Sequence, residues 1–70
     1  MLPDLAVFAA RFNVSAKEAY VLPALFENAA SKVGMAPRAL VAEATFRNHA
    51  LGEYLANAAR NVAAEDREAA

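Results

Sequence analysis

The sequence predicts an all-α fold, a compact bundle of about four short helices, and three observations point to it. Twenty of the 70 residues are alanine, the best helix former. The β-branched residues that favour strands number only six Val and one Thr. No segment alternates apolar and polar residues over a strand's length, whereas apolar residues recur at helical spacing along most of the chain.

The first helix is expected from about Pro3 to Phe12. Pro3 suits the first helical position, where its missing N–H costs nothing, and Asp4 complements the positive helix end. Leu5, Phe8, Ala9 and Phe12 fall on one face. Asn13 tolerates the left-handed conformation that ends a helix.

The second helix opens with Ser15-Ala16-Lys17-Glu18, a capping box in which hydroxyl and carboxylate satisfy backbone N–H groups reciprocally. Its apolar positions are Ala19, Leu22, Leu25, Phe26, Ala29 and Val33, and Gly34 is the expected stop. Pro23 falls inside, where proline deletes a ladder bond and clashes with the preceding turn. Because the apolar stripe keeps its phase across the proline, the expectation is one helix kinked at Pro23; two separate helices are the alternative.

A third helix begins at Pro37, with Leu40, Val41, Ala44 and Phe46 inward, and a fourth runs from Asn48, as N-cap, to about Ala64. One helix over 37–64 is the alternative. It would set Arg47 on the apolar ridge of Leu40, Ala44, Leu51, Leu55, Ala58 and Val62, so the break is placed near Arg47–His49. Residues 1–64 make a single domain, and 65–70 a charged tail expected to fray.

Composition limits how such a chain is held together. Below roughly 70–80 residues one core rarely supplies more than ~3–5 kcal/mol, and small proteins use a staple. Without cysteine there is no disulfide, and one histidine cannot make a structural zinc site, so no metal or other cofactor is expected. The remaining staple is a second chain. In the fourth helix a leucine stripe adjoins a stripe of very small residues suited to close helix approach. A homodimer is therefore expected through Leu51, Gly52, Leu55, Ala56, Ala59 and Val62.

The net charge is −1 and the pI near 5.7, without the basic excess of a strongly nucleic-acid-binding domain. No uncharged stretch approaches the ~18 residues of a membrane span. The opening Met-Leu-Pro-Asp has an acid where a secretion signal wants positive charge, so a cytoplasmic protein without membrane contact is expected. Arginine over lysine, abundant alanine and no isoleucine suggest a GC-rich bacterial source.

One pattern bears on function. Ala9 is small where two helices would cross, Phe8 and Phe12 flank it, and Asn13 supplies a turn residue. Val14 follows as an apolar anchor, Ser15 as a cap, and Ala19 and Leu22 as inward positions. Residues Leu5 to Ala24 thereby resemble a helix-turn-helix motif, about twenty residues of the seventy. The resemblance implies a regulator of transcription contacting double-stranded DNA through Arg11, Ser15, Ala16, Lys17 and Tyr20. Only Lys17 is basic on the second helix of that corner, and Glu18 opposes it. Arg38, Arg47, His49 and Arg60 form a second candidate phosphate surface, with Glu43 and Glu53 as competing partners.

Enzymatic chemistry is not expected. His49 is the only histidine, Ser15 is explained as a cap, no carboxylates pair at metal-binding spacing, and two glycines cannot build a phosphate loop. Two functions from different classes remain. One is the dimeric DNA-binding regulator; the other is a protein–protein module, an adaptor or inhibitor, using the faces of helices two and four.

Overall fold

The computed structural model describes residues 4–69. The expectation that Pro3 opens the first helix lies outside them. Among the described residues the fold is an all-α bundle of five helices rather than four: α1 (Leu5–Arg11), α2 (Ala16–Ala19), α3 (Leu22–Val33), α4 (Pro37–Ala42, continued by a π-helical segment Glu43–Arg47) and α5 (His49–Ala69). At 1.5 Å per residue α5 is ~31 Å long, comparable with the 33 Å long dimension of the molecule.

The chain turns corners with two left-handed residues. Asn13 has φ 56°, and Val14 N–H donates back to the Ala9 carbonyl at 2.9 Å. Gly34 has φ 71°, and Met35 N–H donates to the Ala30 carbonyl at 2.9 Å. In both, a donor beyond the end bonds the carbonyl five residues back, which satisfies an orphaned acceptor of the last turn.

Pro23 does not kink a helix. The single kinked helix is replaced by two: α2 ends at Ala19, Tyr20 and Val21 make a turn, and Pro23 takes the second position of α3. There its missing N–H has no intrahelical acceptor to disappoint and its ring no preceding turn to strike. The apolar stripe keeps its phase because Tyr20 (φ −62°, ψ −21°) and Val21 (φ −83°, ψ −13°) stay close to helical values.

The second departure is the π segment. Asn48 N–H donates to the Glu43 carbonyl at 2.8 Å, a span of five residues instead of four. The wider turn shifts the phase, so Thr45 is carried inward to 2% exposure while Phe46, expected inside, is 56% exposed. Asn48 then leaves the helix (φ −130°, ψ 90°), and its Oδ1 accepts the Leu51 N–H at 3.1 Å, capping α5. Residues 37–64 are thus two elements divided at Asn48, and α5 continues through Ala69.

The core is centred on Phe8 and Phe26, both fully buried and packed edge-to-face with ring centroids 5.0 Å apart. Leu22, Leu40, Val41, Leu55 and a set of buried alanines (Ala30, Ala44, Ala56, Ala59, Ala63) complete it. Val33, expected inward, is instead exposed at the last turn of α3.

Candidate functional site: a helical corner and an apolar groove

At the first corner, α1 ends beside its left-handed Asn13, Val14 turns into the core as an anchor, and α2 starts at Ser15. The capping box forms: the Ser15 N–H and hydroxyl both donate to Glu18 Oε1, at 3.1 and 3.0 Å. These bonds, the backbone one foremost, hold the Glu18 carboxyl below its ordinary value of 4.5. Ala9 is partly buried beside Leu5, Ala19 and Leu22, and a hollow of about 190 Å³ remains where these small side chains meet.

All five residues assigned to DNA on sequence grounds, Arg11, Ser15, Ala16, Lys17 and Tyr20, are exposed at this corner. Three are also engaged within the chain. The Arg11 guanidinium lies 5.9 Å from the centroid of the Phe46 ring, Ser15 is committed to the cap, and the Tyr20 hydroxyl donates to Asp66 Oδ2 at 2.7 Å. That bond raises the Tyr20 phenol above its ordinary value of 10.0. The second helix of the corner is one turn long.

Of the second candidate basic surface, His49 and Arg60 line one hollow of about 300 Å³ together with Arg11. Arg60 turns to the corner's backbone, donating from Nη2 to the carbonyls of Phe12 at 2.5 Å and Asn13 at 3.4 Å, and from Nη1 to Asn57 Oδ1 at 2.8 Å. His49 Nε2 lies 2.7 Å from Glu53 Oε1, and its ring packs 5.3 Å from that of Phe12. Arg38 and Arg47 are exposed. Among the described residues no three His, Cys, Asp or Glu side chains gather to hold a metal, and no helix is long and apolar enough to cross a membrane.

The face assigned to a second chain is largely occupied from within. Gly52, Leu55, Ala56 and Ala59 are buried. A Cβ on Gly52 would lie 2.5 Å from the Ala44 carbonyl oxygen and overlap the Phe12 ring. At Gly52 the stripe therefore serves close approach, as its composition suggests, but to this chain's own Phe12 and Ala44. Only Leu51, half-buried, and Val62, 38% exposed, keep surface on that set.

What the bundle leaves open is one step around α5. A hollow of about 370 Å³ lies between the end of α3 and the start of α5, lined by Ala29, Lys32, Val33, Leu51, Tyr54 and Ala58 among others. A second, of about 340 Å³, lies between the start of α3 and the end of α5, at Tyr20, Val21, Ala24, Val62 and Asp66. Leu25 and Asn28 line both, so the two are halves of one groove, and α3 and α5 run antiparallel along it. Its rims carry the most exposed large apolar side chains among the described residues: Tyr54 (71%), Val33 (62%) and Tyr20 (57%). The sequence marks Leu25 and Ala29 only as inward positions. Their neighbours in sequence, Phe26 and Ala30, are fully buried, whereas Leu25 and Ala29 are only partly so.

No protein-family model, curated protein or solved structure matches the chain.

Proposed function

We propose that the chain is a protein-interaction module that receives an apolar helical surface in the groove between α3 and α5. The observation that carries this reading is the groove itself: two adjoining hollows with apolar floors of Leu25, Ala29, Leu51 and Val62, flanked by exposed Tyr54 and Val33. Aromatic side chains at the rim of an apolar floor are the residue types that anchor protein interfaces.

DNA binding through the corner at residues 5–24 is the second reading. It is favoured by the left-handed Asn13, the buried Val14 anchor, and the exposure of Arg11 and Lys17 on the same corner. The near-neutral charge and the one-turn α2 weigh against it.

The two are separated by placing a photo-crosslinking amino acid at position 54 in one variant and at position 17 in another, with irradiation in the native host. The interaction reading expects a polypeptide adduct from position 54. Nucleic-acid adducts from position 17 with none from position 54, together with salt-dependent binding of mixed duplex DNA, would replace it with the second reading.

A further inference from the structure

We infer that the hollow between the end of α1 and the start of α5 binds a small phosphate monoester, with its phosphate group between the guanidinium groups of Arg11 and Arg60. The hollow shares no lining residue with the α3–α5 groove, so the inference stands apart from what fills that groove.

The lining is polar and mainly cationic. In about 300 Å³ it gathers Arg11, Arg60, His49, Asn57 and Glu53 against the buried Phe12. That volume lies at the lower end for small-molecule sites, most of which are lined by apolar groups. A small charged ligand fits this one better than an apolar one. Among the described residues neither guanidinium is paired with a carboxylate, although the chain has eight acidic residues to seven basic ones.

The cations are held in place with donors to spare. Arg60 is half-buried, and its bonds to the Phe12 and Asn13 carbonyls and to Asn57 Oδ1 use at most three of its five N–H groups. The same bonds cover the carbonyl end of α1, whose partial negative charge would otherwise repel an anion. Asn57 accepts through its oxygen, which leaves its amide N–H groups to donate. Arg11 sits in the last turn of α1 with its guanidinium 5.9 Å from the Phe46 ring centroid, a contact that steadies the side chain without using its N–H groups.

Charge selects the class of anion. Glu53 is the carboxylate of the hollow, and its Oε1 lies 2.7 Å from His49 Nε2. A protonated His49 offsets it and leaves the two guanidinium charges uncompensated. A phosphate monoester brings about two negative charges at neutral pH, and guanidinium forks match its oxygens. A phosphodiester of nucleic acid brings only one per phosphate. The Glu53 carboxylate can also accept from a hydroxyl on the body of the ester.

Nuclear magnetic resonance titration of the isotope-labelled full chain with glycerol phosphate tests this, with ionic strength held constant by sodium chloride. Saturable shifts are expected at Asn13, His49, Glu53 and Asn57, with a Kd of about 1 mM, and none with glycerol. Arg11→Gln should weaken binding by about ten-fold, the effect of losing a charge-assisted bond. Glu53→Gln should tighten it by about three-fold, because a like charge is removed. Arg11 and Glu53 are exposed, and circular dichroism of each variant checks that the helices are intact.

Shifts still linear at about 20 mM glycerol phosphate overturn the inference, as does binding that neither substitution changes. Inorganic phosphate that binds where glycerol phosphate does not would overturn the ester and leave a site for the bare anion. Short duplex DNA that moves these signals where glycerol phosphate does not would overturn it too, and would give Arg11 and Arg60 to the DNA-binding reading.

Discussion

Arg60, midway along α5, donates from Nη2 to the main-chain carbonyl of Phe12, 48 residues earlier in the chain. It fastens the long helix to the corner where α1 ends. A charge-assisted bond of this kind contributes about 1.5–3 kcal/mol. Arg60→Ala is expected to lower unfolding free energy by about 2 kcal/mol in urea titrations, and Arg60→Lys to recover only part, because a single ammonium lacks the two-armed fork by which Nη2 holds the Phe12 carbonyl while Nη1 holds Asn57 Oδ1. A change in midpoint too small to measure for Arg60→Ala would mean the bond is not made in solution.

Gly52→Ala should destabilise the fold although alanine is the better helix former by ~1 kcal/mol. The added methyl meets the Ala44 carbonyl, which belongs to the π segment and cannot rotate away as a side chain could. Overpacking of this kind costs about 1–3 kcal/mol. Thermal melting of the variant gives the sign directly, and a more stable variant would show that the π segment yields.

The Thr45 hydroxyl is buried and has no hydrogen-bond partner among the described residues. Thr45→Val keeps the shape and removes the unsatisfied group, so it should raise stability by about 1–2 kcal/mol. Thr45→Ala removes the methyl as well and should gain less. Guanidinium titration of the pair decides it: equal stability of wild type and Thr45→Val would indicate that the hydroxyl finds a partner in solution.

The capping box gives a defined pH dependence. Glu18 titrates lower in the folded chain than its ordinary 4.5, chiefly through the bond from the Ser15 backbone. Folding is therefore favoured by the ionised form, and the contribution is complete above the unfolded value and lost as pH falls through the folded one. Melting temperatures from pH 6 downwards should fall more steeply for wild type than for Glu18→Gln once pH passes below about 4.5. Tyr20 behaves in the opposite sense. Its folded value is raised by the bond to Asp66, so its contribution is present below 10.0 and lost as pH rises through the higher folded value. Tyr20→Phe should remove that alkaline slope and leave the acid one.

Features set by neighbours in sequence are legible without a structure: the Ser15–Glu18 box, the left-handed stops at Asn13 and Gly34, Pro37 at a helix start, and the Asn48 cap. Each is a local bond or dihedral that a few residue types satisfy. Pro23 misleads because the turn at Tyr20–Val21 keeps near-helical dihedrals, so periodicity passes through a real boundary. Thr45 and Phe46 exchange places because a five-residue bond changes the phase on which inward positions are counted. The site was least legible. A stripe of small residues declares that something approaches closely, and only the packing says that it is the chain's own Phe12 and Ala44. The groove belongs to two helices distant in sequence, so neither contains it alone.

The π segment also has a meaning for how the length of this chain can change. It holds one residue more than an ordinary helix needs between Glu43 and Asn48, and the surplus is absorbed within that single turn. Removing one residue there would restore regular helical bonding, with the Asn48 cap and all of α5 left to start where they do now. Among homologous chains, single-residue insertions and deletions should therefore gather between positions 43 and 47, while the elements on either side keep their lengths.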